Sequence, residues 1–168
     1  KLWDLDFPYR YTVETIIKKG GKTIDKYLTP FGIRSVKFDK DKGFFLNNKH
    51  LKLKGMCLHQ DAGCLGTAVP DRAYERRLLI LKEFGTNAIR CSHNPPSPEF
   101  LNYCDSIGFL VIDEAFDKWK SGYYEEFFDS SWQQDISDMV IRDRNHPSVI
   151  LWSIGNELAE AKLKDDTG

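Results

Sequence analysis

Residues 87–114 read NAIRCSHNPPSPEFLNYCDSIGFLVIDE, and this stretch decides the fold. It opens on Asn87 to Cys91, a short apolar run of strand length. Polar groups gather at the end of that run: Arg90, then Ser92, His93 and Asn94. Ser97-Pro98-Glu99 is a helix start, with a capping hydroxyl, a proline at the first helical position and an acid in the first turn. Gly108 stops the helix. Phe109 to Ile112 is a second apolar strand, closed by Asp113 and Glu114. A strand, a helix and a second strand of these lengths imply a right-handed crossover between parallel neighbours.

The same pattern continues in both directions. Upstream, Leu53 to Leu58 is a strand followed by His59, Gln60 and Asp61. Asp71 can cap a helix running to Phe84, with Tyr74, Leu78, Leu81 and Phe84 on one stripe and Gly85 as the stop. Downstream, Ser130 or Ser131 can start a third helix with Trp132, Ile136, Met139 and Val140 facing inward. Val149 to Ile154 is the fourth strand, followed by Asn156 and Glu157. The first crossover has no Gly-x-Gly-x-x-Gly after its strand, which removes the usual support for a nucleotide-binding open sheet. The expected class is α/β, with residues 39–168 forming the N-terminal half of a (β/α)8 TIM barrel, whose complete form takes ~250 residues.

Residues 1–38 differ. Tyr9 to Ile17 alternates apolar and polar groups, as a half-buried strand does, and Gly20-Gly21 is a turn signal. Pro30-Phe31-Gly32 breaks the chain, and alternation resumes from Ile33 to Phe38. These are expected to be the last strands of an antiparallel β-sandwich, too few to close one alone, since such domains need ~100 residues. Next, Phe44 to Leu46 and His50 to Leu53 flank Asn47-Asn48 as a hairpin.

The 168 residues carry 24 basic and 25 acidic side chains, and no basic tract marks a nucleic-acid surface. No apolar run approaches the ~20 residues of a membrane helix. Cys57, Cys64, Cys91 and Cys104 form no Cys-x-x-Cys pair. They are expected to be free, buried small hydrophobes rather than disulfides or zinc ligands.

In a barrel the polar residues after all four strands fall on one rim, and that rim is where barrel enzymes work. Two long motifs at this rim carry a family resemblance. One is Asn87-Ala-Ile-Arg90-Cys-Ser-His93-Asn-Pro-Pro with Cys104-Asp105-Ser-Ile-Gly108 and the strand to Asp113-Glu114. The other is Asp143-Arg144-Asn145-His146-Pro147-Ser148-Val149-Ile-Leu-Trp152-Ser-Ile-Gly155-Asn156-Glu157. The chain resembles glycoside hydrolase family 2, the β-galactosidase, β-glucuronidase and β-mannosidase group. Thr29 to Arg34 resembles the end of that family's immunoglobulin-like domain, and Lys54 to Asp61 its first barrel strand.

The resemblance implies a retaining mechanism with two carboxylates. Glu157 would protonate the leaving oxygen and later act as base on water. Asn156 would hold the sugar 2-hydroxyl, Arg90 and His93 would line the sugar subsite, and His59 matches a histidine that contacts substrate in β-galactosidases. Glu114 lies at the same rim, either as a substrate contact or as a plain ion-pair partner of Arg90. Trp119 offers an aromatic face that could stack on a sugar or simply pack. The family's nucleophilic glutamate lies on a later strand, and no stretch here matches its motif, so the chain alone is expected to be inactive. Some β-galactosidases of the family bind magnesium near the acid/base through Glu-x-His. The matching residues here are Asp117-Lys118-Trp119, so no metal or other cofactor is expected. The expected substrate is a terminal β-linked sugar, galactose first, with glucuronide and mannoside as alternatives. The rival readings are a carbohydrate-binding fragment without turnover and a purely structural half-barrel. The expected protein partner is the rest of the barrel, or a second copy pairing with its open sheet edges.

Overall fold

A computed structural model describes residues 1–158. β1 (Tyr11–Lys19) and β2 (Lys22–Phe31) form an antiparallel hairpin. Its turn is Gly20-Gly21, with φ of 56° and 78°, values that suit glycine at a two-residue hairpin turn. β3 (Val36–Asp39), β4 (Gly43–Leu46) and β5 (Lys49–His50) form a second antiparallel sheet. Asn47 and Asn48 turn it with φ of 51° and 63°, as the asparagine pair in the sequence suggests. The alternation from Ile33 onward yields a strand only at β3, and that strand pairs with β4 rather than with the first hairpin.

The third sheet is parallel. β6 (Gly55–His59), β7 (Ala88–Ser92), β8 (Leu110–Glu114) and β9 (Val149–Ser153) lie in that order, each hydrogen-bonded to the next. α1 (Asp71–Glu83), α2 (Pro98–Ile107) and α3 (Glu125–Asp143) connect them. Strands and crossovers therefore fall where the alternating pattern puts them. One core fills the space between strands and helices, with Leu78, Ile89, Leu101, Phe109 and Val111 at its centre. A second joins Trp3, Phe44 and Leu46 to Ala88 and Leu110, the first residues of β7 and β8. The small sheet and the N-terminal segment thus cover the N-terminal ends of the strands. The C-terminal ends, where polar residues collect, are left for chemistry.

Local signals explain the helix boundaries, including those that sequence reading misplaced. Ser97 Oγ accepts from Phe100 N at 3.3 Å, and Gly108 closes α2 with φ of 85°. A Cβ at Gly108 would run into the Leu5 carbonyl oxygen. Gly108→Ala combines that clash with a left-handed backbone and should cost about 2 kcal/mol or more, read as a lowered urea midpoint. Asp71 does not cap α1. Pro70 takes the cap position and Asp71 is the first helical residue, where its charge still suits the helix dipole. Phe84, expected on the inner stripe, is 84% exposed because the helix ends before its turn reaches the sheet. α3 begins at Glu125, not at Ser130 or Ser131, after a 3-10 turn over Gly122–Tyr124. Of its expected inner face, Met139 is buried, Ile136 and Val140 are half-buried, and Trp132 is exposed. All four cysteines are free, but only Cys91 and Cys104 are buried. Cys57 is exposed because it lies on β6, an edge of the parallel sheet, on its inner face beside Arg90.

The segment Asn145-His146-Pro147 is a structural junction. His146 Nδ1 and Asp105 Oδ2 are 2.6 Å apart, and Asp105 Oδ1 accepts from Ser148 N at 3.0 Å. Arg34 Nε donates to Pro147 O at 2.6 Å, and the Trp3 indole donates to Asp105 O at 2.8 Å. These contacts tie the N-terminal segment to the entry of β9 and so fix where Asn156 and Glu157 emerge.

Candidate active site

Strand alternation sends neighbouring residues to opposite faces. On the inner face, His59 pairs with Ser92, Arg90 with Ile112, and Glu114 with Ser153. Glu114 is fully buried, and its carboxylate is the hub of the site. Its Oε2 accepts from Arg90 Nε at 2.8 Å and from Ser153 Oγ at 2.8 Å, and its Oε1 lies 2.7 Å from His93 Nδ1. Each carboxylate oxygen is thereby satisfied, which a buried charge requires. The hydrogen bond to Glu114 also makes the Arg90 guanidinium hold its proton more tightly. Arg90 Nη2 donates onward to Asn156 Oδ1 at 3.0 Å. Arg90, His93, Glu114 and Asn156 are therefore one connected network drawn from β7, β8 and the turn after β9.

The network continues outward. Asn156 Nδ2 donates to Asp117 Oδ1 at 2.9 Å, and Asn156 N donates to Asp117 O at 2.8 Å. The Asn156 hydrogen bond, and then that of Lys118, holds the Asp117 carboxyl below its usual range. Lys118 Nζ reaches Asp117 Oδ1 at 2.9 Å, Glu157 Oε2 at 3.1 Å and Asn156 O at 3.3 Å. Glu157 itself sits at φ of 48°, a left-handed conformation that is uncommon for a residue with a side chain. Such strained positions cluster at functional sites. Its side chain is 79% exposed.

His59 joins the cluster through its ring, edge-on to His93 with centroids 5.3 Å apart. Trp119 does not join it. Its indole stacks on Phe128 at 5.5 Å and donates to Ile154 O at 2.8 Å, so the ring is engaged in packing. Among the described residues, His59 and His93 line different cavities. A cavity of about 770 Å³ takes in His93, Asp117 and Lys118 but runs toward α3 along Phe116, Tyr124 and Met139. His59 lines a separate crevice with Ser92 and Asn94. Among the described residues the inner face of β6 to β9 is open, so the cluster is a rim rather than an enclosed pocket.

Asp113 leaves the rim altogether. Being one residue from Glu114, it points to the opposite face, where it is fully buried beside Asp143 and Arg142. Burial, then the neighbouring Asp143 carboxyl, raises its pKa to about 8, and neither Asp113 oxygen has a hydrogen-bond partner among the described residues. Burial thus favours a proton on Asp113 in the folded protein that the unfolded chain releases near the ordinary value of 3.8. Its contribution to stability is fully present below that value and is lost as pH rises toward about 8. Asp113→Asn, neutral at every pH, should therefore raise the thermal midpoint more at pH 8 than at pH 5. Equal shifts at both would contradict a buried proton.

The Asp117-Lys118-Trp119 stretch does not suit a divalent cation. The Lys118 ammonium stands between the two carboxylates, and the Trp119 indole has no free lone pair to give a metal and spends its N–H on Ile154 O. Sequence reading had no place for Ser153 or for Lys118 as members of this cluster. Ser153 could have been found, since it is on the inner face at the end of a strand that leads to Asn156. No sequence signal marks Lys118, whose position depends on how the loop after β8 folds.

The comparisons with known proteins agree with this architecture. The model described as "Glycosyl hydrolases family 2, TIM barrel domain" matches residues 36–166, and "Glycosyl hydrolases family 2" matches residues 1–34. The β-galactosidase BoGH2A of Bacteroides ovatus is 52% identical over 99% of this chain and 20% of its own length. A putative β-glucuronidase of Formosa agariphila is 44% identical over 94% of the chain and 16% of its own length. The crystal structure of a glycosyl hydrolase family 2 member from Bacteroides cellulosilyticus superposes with a TM-score of 0.90 at 51% identity, covering 95% of this chain and 21% of that one. The chain thus spans about a fifth of the length of such relatives. With two family models meeting at the junction near residue 35 and four parallel strands in barrel order, the chain belongs to glycosyl hydrolase family 2 and carries the opening half of its TIM barrel domain.

Proposed function

We propose that the full-length protein carrying this chain is a retaining β-glycosidase, with Glu157 as its general acid/base. The observation that carries this reading is the buried Glu114 carboxylate. Through Arg90 it fixes Asn156, and with it Glu157, at the C-terminal ends of the strands. On this reading residues 1–38 end an immunoglobulin-like sandwich, and residues from 39 onward open the catalytic barrel.

In the first step the Glu157 carboxyl gives its proton to the glycosidic oxygen as the C1–O bond breaks and a carboxylate on a later barrel strand bonds to C1. In the second step Glu157, now a carboxylate, takes a proton from water as the water oxygen attacks C1 and the nucleophile leaves. Two inversions return the β configuration. Asn156, whose amide keeps one N–H beyond the bond to Asp117, takes the role of holding the sugar 2-hydroxyl. Arg90, His93 and His59 line the same rim, and Glu114 acts by holding Arg90 and His93. Trp119 is left with packing as its role. Neither step as written needs a metal or an organic cofactor.

Galactose is the first expectation for the sugar, supported by the 52% identity to the B. ovatus β-galactosidase. Glucuronide is the second, supported by the 44% identity to the F. agariphila putative β-glucuronidase. The test is release of nitrophenol from nitrophenyl β-galactoside, β-glucuronide and β-mannoside. The full-length protein should hydrolyse one of them strongly. The 168-residue chain alone should hydrolyse none, because its four-stranded sheet presents only part of a barrel rim. Equal turnover by both would contradict the assignment of the nucleophile to a later strand.

A further inference from the structure

Glu157 leaves the strand end in a left-handed backbone conformation and carries an exposed side chain. A lone glutamate in that state would sample many rotamers, yet a general acid must hold its carboxyl against one oxygen atom. The contact that restrains it here comes from Lys118. Its ammonium meets Glu157 Oε2 at 3.1 Å while also bonded to Asp117 Oδ1 at 2.9 Å and to Asn156 O at 3.3 Å. Asp117 is in turn held by both the side chain and the backbone N–H of Asn156. A flexible surface pair contributes little, because two long side chains must be ordered for one contact. Lys118 is different: its other two partners fix the ammonium whether or not Glu157 is there.

We infer that Lys118 is a positioning residue for Glu157, holding the carboxyl in place at the strand end. The inference rests on the reading of Glu157 as acid/base. Among the described residues, the charged and titratable groups around Glu157 are Lys118 and Asp117 from the loop after β8, and, through Asn156, Arg90 and His93 from β7 and the loop after it, with Glu114 from β8 and His59 from β6. Glu114 is matched by Arg90 and His93, and Asp117 by the Asn156 amide and Lys118. Of these, Lys118 is the cation bonded to Glu157 itself. An ammonium anchored by two other partners gives the carboxyl a fixed point to bond to, which narrows the positions it can take toward a leaving oxygen.

The experiment measures kcat and KM separately for full-length wild type, Lys118→Met, Lys118→Arg, Lys118→Gln and Glu157→Gln, on aryl glycosides of graded leaving-group ability built on the sugar that the wild type hydrolyses. Lys118→Met should lower kcat roughly tenfold on the poorest leaving group with KM little changed, the loss should fade as the leaving group improves, and Lys118→Arg should restore kcat. Lys118→Gln removes the bridging ammonium without an apolar tip and should show the same graded loss, so it serves if the Met variant does not fold. No loss in Lys118→Met or Lys118→Gln, or a loss equal for every leaving group, beside a graded loss in Glu157→Gln, overturns the inference and leaves the glycosidase reading intact. Activity indifferent to Glu157→Gln overturns both.

Discussion

Glu157→Gln in the full-length protein is expected to lower turnover on β-glycosides with poor leaving groups by roughly 10²- to 10⁴-fold, the usual contribution of a general acid/base. Glutamine has the shape of the glutamic acid and can keep a contact to Lys118, but it has no proton to give and none to take. The loss should shrink as the leaving group improves, since a dinitrophenolate departs without protonation. A graded series of aryl glycosides measures this directly. A uniform loss across the series would mean that Glu157 binds or shapes the site but does not protonate the leaving oxygen.

The second large effect concerns stability as well as activity. Glu114→Ala removes a fully buried carboxylate that accepts from Arg90, His93 and Ser153. The variant leaves the Arg90 guanidinium facing a cavity with no counter-charge. Breaking one side of a buried ion pair costs about 3–5 kcal/mol, and Arg90's partial exposure argues for the low end, about 3 kcal/mol. Activity should also fall, because Arg90 no longer fixes Asn156. Arg90→Ala alone, and the two changes together, complete a double-mutant cycle. The account expects the double variant to be more stable than the sum of the single losses implies, as the orphaned charge is gone. Strict additivity would show that the pair is not coupled.

The fold was legible because its signals are local and repeated. Ser97-Pro98-Glu99 and Gly108 bound α2 as read, and four apolar runs of strand length became four parallel strands. The start of α3 was not legible. Ser130 and Ser131 look like caps, yet Glu125 and Glu126 already complement the helix dipole, and the aromatic residues between them and Trp132 are spread around the helix. At the site, strand-end polarity identified Arg90, His93, Glu114 and Asn156 as neighbours. It also drew Asp113 onto the rim, although one-residue alternation places Asp113 and Glu114 on opposite faces. Trp119 was open in sequence between stacking on a sugar and packing. An aromatic beside a sugar site has a ready function, but here Phe128 lies across the sequence to receive it. Lys118 was out of reach of sequence because its three acceptors come together only through the turn at Asn156 and the left-handed backbone of Glu157.

Glu157 as the acid/base of a two-step displacement can be tested by chemical rescue. Glu157→Ala in the full-length protein is given a dinitrophenyl β-glycoside, with and without azide. The good leaving group lets the first step proceed without an acid, so the glycosyl-enzyme accumulates for lack of a base to activate water. Azide needs no such base. It should restore turnover and yield a glycosyl azide of retained β configuration. A Glu157→Ala variant that azide does not accelerate, or one as active as wild type without it, would contradict the assignment.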